Sequence, residues 1–164
     1  MNQFQSLTPN KFIKTLGLIH VSLVMSVVVF AVVTFFLNDG EMHFKFDLNT
    51  IFLLVYPFIV LSALMMSYIV PKMLLKNARK ATDLTAKLNS YRTVSMVKFI
   101  VLEGSAMLGV VFYLLSKNGI FLTIAALLII YLIAQRPTLH KVENDLELRG
   151  ELRNKFQRYD EVIE

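Results

Sequence analysis

The chain has 164 residues, of which 55% are hydrophobic and 18% are charged, and its formal net charge at pH 7 is +5. This length suits one domain, and the absence of cysteine excludes disulfides, thiolate metal sites and cysteine nucleophiles. An average soluble protein has roughly 25% charged residues. Charged residues are nearly absent from four long apolar blocks, a pattern typical of membrane-spanning helices and not of a soluble core.

These blocks predict four spans, at about residues 16–37, 51–70, 94–115 and 120–134. The 22 residues of the first block extend about 33 Å as a helix, close to the roughly 30 Å of a bilayer core. The fourth block has only 15 residues, but it follows SKNG, a typical helix–helix connection. We therefore predict an all-α integral membrane protein, a bundle of four transmembrane helices over residues 1–136.

The basic residues predict how these spans are oriented. Six of them lie in the basic loop at 71–93, against the single acid Asp83: Lys72, Lys76, Arg79, Lys80, Lys87 and Arg92. The positive-inside rule places this loop and both termini in the cytoplasm (N-in/C-in), most simply at a bacterial inner membrane. The bundle then consists of two hairpins of the same orientation.

Two hairpins of one orientation are what a tandem repeat produces. Sliding residues 14–40 onto 92–118 gives four identities in 27 positions and aligns basic residues before the first and third spans. In this register Met25 corresponds to Glu103 and Ser26 to Gly104. The aligned polar ends, more than the identities, favour a duplication.

The tail at 137–164 predicts an amphipathic cytoplasmic helix. Its apolar stripe has members spaced by three or four residues: Leu148, Leu152, Phe156, Tyr159 and Ile163. Gly150 is expected to break this helix, and the near balance of basic and acidic residues does not suit an anionic lipid surface. Two interpretations remain open, a helix that packs on the basic loop or on a partner protein, and a solvated tail.

No enzymatic motif is present, because the chain lacks a phosphate-binding loop, a dinucleotide fingerprint, a serine-hydrolase elbow and a zinc-protease motif. His20, His43 and His140 share no ligand-like spacing, and the basic loop has neither the interleaved aromatic residues nor a recognised motif of a nucleic-acid-binding surface. We therefore predict a non-enzymatic protein without metal, cofactor or nucleic acid. Its expected partners are the lipid bilayer and a protein partner or a second copy of the chain.

One acid interrupts the third span. Glu103 lies nine residues inside the predicted start, about 13 Å deep, where a charged side chain costs on the order of 3 kcal/mol. Lys98 is about 140° away around the helix and is a poor partner, whereas Ser26 and Ser62 lie at a similar depth on other spans. Glu103 is therefore either a protonated group that holds helices together or a proton- or cation-binding site, with either serine as its partner.

The run LEGSAMLGVVFYLL, Leu102–Leu115, resembles the carboxylate-bearing helix of rotary ATPase membrane-rotor proteolipids (subunit c). The resemblance implies that Glu103 is a reversible proton or sodium site and that Met25 is its lost copy. It covers 14 residues, and Glu103 falls in the first helix of its hairpin, whereas the rotor proteins carry their acid in the second.

Three functions fit these features. The first is an accessory, assembly or structural subunit of a membrane complex, which fits a small bundle with few polar groups in its spans. The alternative is proton or cation handling through Glu103. The third is a small-solute carrier formed by an oligomer, since four helices alone enclose little volume.

Overall fold

The computed structural model describes residues 8–46 and 51–163, and regular structure in these ranges is helical apart from one isolated bridge between His43 and Asn118. The helices are α1 (Pro9–Leu37), α2 (Ile51–Arg79), α3 (Leu84–Ser116), α4 (Gly119–Ala134), α5 (Leu139–Asp145) and α6 (Gly150–Gln157). The prediction of an all-α protein is confirmed.

Three of these helices, α1, α2 and α3, are long and apolar enough to cross a membrane. The most apolar 18-residue windows within them have mean hydropathies of 2.6, 2.2 and 1.9. With 16 residues, α4 reaches the length of a span only together with α5, from which it is bent by 83°. Length and composition thus fit a multi-pass membrane protein with three or four spans.

Most of the connection predicted as a basic loop, residues 71–93, is helical. α2 continues into it as far as Arg79, and α3 begins at Leu84. The start of α3 is fixed by Asp83, whose carboxylate accepts a hydrogen bond from the Ala86 N–H at 3.0 Å. Hydropathy locates the apolar part of a helix, whereas capping side chains determine where the helix ends. The helices therefore extend beyond the predicted spans.

The central helix of the bundle is α3, which packs against α1, α2 and α4. Contacts between α1 and α3 join residues at a nearly constant separation in sequence, 77 for Ser26 and Glu103 and 75 for Asn38 and Tyr113. A constant separation means that the two helices run parallel to each other. This is the relative direction that two hairpins of the same orientation require.

The two ends of the bundle are distinguished below as the basic end and the turn end. The basic end comprises the start of α1, the α2–α3 connection, α5 and α6; the turn end comprises residues 38–46 and the α3–α4 turn. At the turn end, Lys117 Nζ donates to Glu41 Oε2 at 2.7 Å, and Tyr113 Oη donates to Glu41 O at 3.0 Å. The hydrogen bond from Lys117 lowers the pKa of the Glu41 carboxyl and raises the pKa of the lysine. These bonds fasten the first connection to the α3–α4 turn.

The tail packs on the basic end of its own bundle. Val142 and Phe156 are fully buried in one apolar cluster with residues of α1, α2 and α3. From the predicted stripe, Leu148 is also buried, whereas Tyr159 is 42% exposed. Two short helices form in place of one, because the backbone turns left-handed twice between them, at Glu147 with a φ of +51° and at Gly150 with a φ of +55°; only glycine adopts this conformation readily. Of the two interpretations of the tail, packing on the helices of the basic loop describes this arrangement.

Gly109 on α3 allows both α2 and α4 to approach α3 closely. A Cβ added at Gly109 would lie 2.1 Å from Tyr56 Oη and 3.1 Å from Ala125 Cβ. Tyr56 is fully buried, and its hydroxyl donates to Ser105 O at 3.3 Å. Small residues four apart, here Ser105 and Gly109, commonly permit such contacts between membrane helices.

Replacing Gly109 with alanine should lower the free energy of unfolding by about 1–3 kcal/mol, because the new methyl group overpacks the Tyr56 ring and breaks its hydrogen bond. The matched control is Gly104→Ala on the same helix, since a Cβ there meets no atom within 4 Å. That control should keep or slightly raise stability. Unfolding titrations in mild detergent measure both changes, and equal stabilities of the two variants would contradict the packing at Gly109.

Candidate functional site

Glu103 lies at the surface seam between α1 and α3. Its Oε1 is 2.7 Å from Ser26 Oγ, and its side chain is partly buried, whereas Ser26 is exposed. Two and three positions further along α3, Ser105 and Ala106 are buried. The carboxyl is therefore partly accessible at the bundle surface and in hydrogen-bond contact with Ser26.

Ser26 Oγ has two acceptors within reach but only one proton to donate. It lies 2.7 Å from Leu23 O on its own helix and 2.7 Å from Glu103 Oε1. If the proton goes to Leu23 O, a protonated Glu103 can donate to the serine oxygen; if it goes to Glu103, the carboxylate accepts. The pair can hold or release a proton while all heavy atoms stay in place.

Ser62, the other predicted partner, lies on a different side of α3. Its hydroxyl donates to Phe58 O on its own helix at 2.7 Å. Its side chain lines an apolar groove between α2 and α3, together with Gly104 and Ser105. Of the two serines at the depth of Glu103, the structure brings only Ser26 to the carboxyl within the described ranges.

The groove between α2 and α3 is open at the bundle surface and has a volume of about 530 Å³. Its walls are apolar except for small hydroxyl residues. Ser105 is only 4% exposed, and its Oγ has no hydrogen-bond partner within residues 8–46 and 51–163. This surface, called the α2–α3 groove below, therefore combines apolar walls with one unsatisfied hydroxyl.

A buried histidine joins α1 to the end of α4. His20 Nε2 lies 2.8 Å from Leu132 O, and the ring packs edge-on against Phe99 at 4.8 Å. A carbonyl oxygen only accepts hydrogen bonds, so Nε2 carries the proton. The other nitrogen, Nδ1, is buried without a partner in the described part of the chain. His20 thus acts as a link between helices.

A cavity at the basic end brings together three lysines from three helices. Lys72 of α2, Lys98 of α3 and Lys141 of α5 line it, with Asp145 as the one carboxylate among its lining residues. Asp145 Oδ2 accepts from Tyr91 Oη at 3.1 Å, and the cavity, called the lysine cavity below, has a volume of about 230 Å³. In the sequence, Lys72 belongs to the basic loop that predicts the orientation of the spans, and Lys98 has no evident partner. The feature that could have indicated this cavity is the presence of a lysine inside an apolar span.

Comparison of the chain with protein-family models, with curated proteins and with solved structures finds no significant match. Within the described ranges, no cluster of three or more His, Asp or Glu side chains is placed to hold a metal ion. The chemistry of the Glu103–Ser26 pair, the α2–α3 groove and the lysine cavity is therefore the basis for any functional proposal.

The variant Ser26→Ala should lower the free energy of unfolding by about 1 kcal/mol, because it removes a hydrogen bond between two membrane helices. Ser62→Ala is the matched control, since Ser62 is also exposed and bonded to its own helix but does not contact Glu103. In a Glu103→Leu background the Ser26→Ala change should have no further effect. Unfolding in detergent is measured for the unchanged protein and the four variants, and equal losses for the two serine variants would contradict a stabilising contact.

Proposed function

We propose that the chain is a non-enzymatic integral membrane protein that assembles, as an accessory or structural subunit, with a partner protein or with a second copy of itself. The observation that carries this proposal is a polar strip at the bundle surface, formed by Ser22, Ser26 and Glu103. Ser22 and Ser26 are both exposed and, four residues apart, share one face of α1. Glu103 lies beside them, partly exposed, near the middle of its predicted span.

Lipid is a poor environment for this polar strip. Acyl chains offer no hydrogen bonds, and a charged carboxyl near the bilayer centre costs on the order of 3 kcal/mol. Both serine hydroxyls already reach carbonyl oxygens of α1, so the carboxyl of Glu103, which contacts Ser26, has the most hydrogen-bonding capacity left. A transmembrane helix that supplies polar groups would satisfy this carboxyl, and each hydrogen bond between membrane helices contributes about 0.6–1.7 kcal/mol. Association through α1 and α3 would therefore remove the free-energy cost of exposing the polar strip to lipid.

The topology that we propose has four spans, with both termini and the basic end in the cytoplasm of a bacterial cell. It rests on the positive-inside rule, because the basic residues between α2 and α3 lie at the end of the bundle that also carries the tail. As the fourth span, α4 would extend about 24 Å, and its residues from Gly119 to Ala134 include no charged group. A slightly thinned bilayer accommodates that length.

Glu103→Leu should markedly reduce assembly, because it removes the carboxyl that a partner helix would bind. Glu103→Gln should retain it, because the amide still forms hydrogen bonds. The control Thr123→Leu removes an exposed hydroxyl of α4 outside the polar strip and should assemble like the unchanged protein. Cross-linking in cells and light scattering after size exclusion in mild detergent measure assembly. A wild-type protein that is monomeric in both would overturn the proposal.

A second function, reversible proton or cation binding at Glu103, is favoured by the position of the same carboxyl. Glu103 is partly exposed at the surface seam, and Ser26 can exchange its roles as donor and acceptor there. In this function the carboxylate takes up a proton from one side of the membrane and later releases it to water on the other side. The resemblance of residues 102–115 to the rotor proteolipid helix supports the same chemistry.

Dicyclohexylcarbodiimide reacts with protonated carboxyls in apolar surroundings, so proton binding predicts that it labels Glu103. Labelling should fall as the pH rises, and peptide mass spectrometry measures it. Glu103→Gln should abolish proton flux in liposomes while it leaves assembly intact, which separates this function from the first. Glu103→Asp is the control that keeps an acid. Flux through Glu103→Gln equal to that of the unchanged protein would exclude proton handling at this residue.

A further inference from the structure

We infer that the lysine cavity binds the phosphate group of an anionic membrane lipid and that one acyl chain of this lipid lies in the α2–α3 groove. The inference concerns a different side of α3 from the polar strip; it rests on the proposed topology and does not depend on assembly or on proton binding at Glu103. Two independent observations carry it: an excess of positive charge in the cavity, and an apolar groove that follows the cavity along the same two helices.

The first observation is that two ammonium groups share one neutral acceptor. Lys98 Nζ and Lys141 Nζ lie 2.5 and 3.4 Å from the same atom, Gln135 Oε1. The two cations are therefore within about 6 Å of each other, close enough to repel outside bulk water. An amide oxygen offsets this repulsion only in part. An anion between the two nitrogens would turn the repulsion into two charge-assisted hydrogen bonds.

The third lysine adds to this excess of charge. Lys72 Nζ lies 3.6 Å from the centre of the Tyr68 ring at the edge of the cavity. Within residues 8–46 and 51–163, no ion pair involves Lys72, Lys98 or Lys141. The single lining carboxylate, Asp145, accepts a hydrogen bond from a tyrosine. Three ammonium groups against one carboxylate leave a net charge of about +2 for an incoming anion.

A phosphate group matches the size and geometry of this cavity. The volume of about 230 Å³ is far larger than one water requires. Lysines act as point charges on flexible stems, so three of them from three helices can approach the tetrahedrally arranged oxygens of one phosphate from different sides. Basic pockets between membrane helices at the cytoplasmic surface are known sites for phosphate-bearing lipid head groups.

The second observation is that the cavity and the α2–α3 groove are lined by neighbouring residues of the same two helices. Ser67 and Phe99 line the cavity, and the next residues toward the turn end, Met66 and Ile100, line the groove. Lys98 lies four residues inside the predicted start of its span, near the boundary between head groups and hydrocarbon. A charged cavity at that level, followed along the same helices by an apolar groove, matches a lipid head group and its acyl chain. A free phosphate ion would occupy only the first part.

The test measures lipid binding by native mass spectrometry and by thermal unfolding of the full chain in detergent. Phosphatidylglycerol, phosphatidylcholine and inorganic phosphate are added separately. We expect phosphatidylglycerol to bind and stabilise at least tenfold more strongly than phosphatidylcholine, and inorganic phosphate to compete only weakly. Competition by inorganic phosphate at equal concentration would overturn the assignment to a lipid.

Variants separate the charged part of the site from the apolar part. Lys98→Gln and Lys141→Gln should each weaken phosphatidylglycerol binding at least tenfold, whereas Lys76→Gln, an exposed lysine of α2 outside the cavity, should have little effect. Using lysines on two helices guards against a folding defect in one variant. Gly104→Leu, which fills the groove, should weaken lipid binding and leave that of phosphate unchanged. Equal binding by Lys98→Gln, Lys141→Gln and Lys76→Gln would overturn the site.

Discussion

Lipid supplies no hydrogen bonds, and this constraint accounts for most of the polar contacts in the spans. The hydroxyl residues of the apolar segments donate to carbonyl groups three or four residues earlier in their own helices: Ser22, Ser26, Thr34, Ser62, Ser67 and Thr123. A hydroxyl bonded in this way needs nothing from a neighbouring helix, although that of Ser26 also reaches Glu103 on α3. The groups that cannot satisfy themselves locally, Glu103, His20 and Ser105, therefore mark the places where helices depend on one another or on something outside the bundle.

The sequence was sufficient for the helical class and for the approximate positions of the apolar segments, because both depend on hydropathy along one helix. It could not supply the direction in which each side chain points around the bundle. Ser26 and Ser62 are at similar depths, but only the parallel packing of α1 on α3 selects Ser26. The sequence also could not supply the ends of the helices, since these depend on capping contacts such as that of Asp83 with Ala86.

The lysine cavity could not be predicted from the sequence for a further reason. Lys98 and Lys141 are 43 positions apart in sequence and meet because the chain bends by 83° between α4 and α5. The apolar residues of α5 and α6, above all Val142 and Phe156, pack on the basic end and hold the chain in this bent arrangement. A tail with nearly balanced charge thus acquires a role that its composition does not indicate, because it closes a cavity formed mainly by the membrane helices.

The positions of these groups on α3 determine how they can influence each other. Glu103 faces α1, whereas Gly104 and Ser105 face the α2–α3 groove, so neighbouring residues of one helix serve different surfaces. A lipid in the groove and a partner helix on the polar strip would touch α3 from different sides and need not compete. Coupling between them would require each to favour a different position of α3. Tyr56, packed against Gly109, opposes such movement, so we expect the two surfaces to act independently.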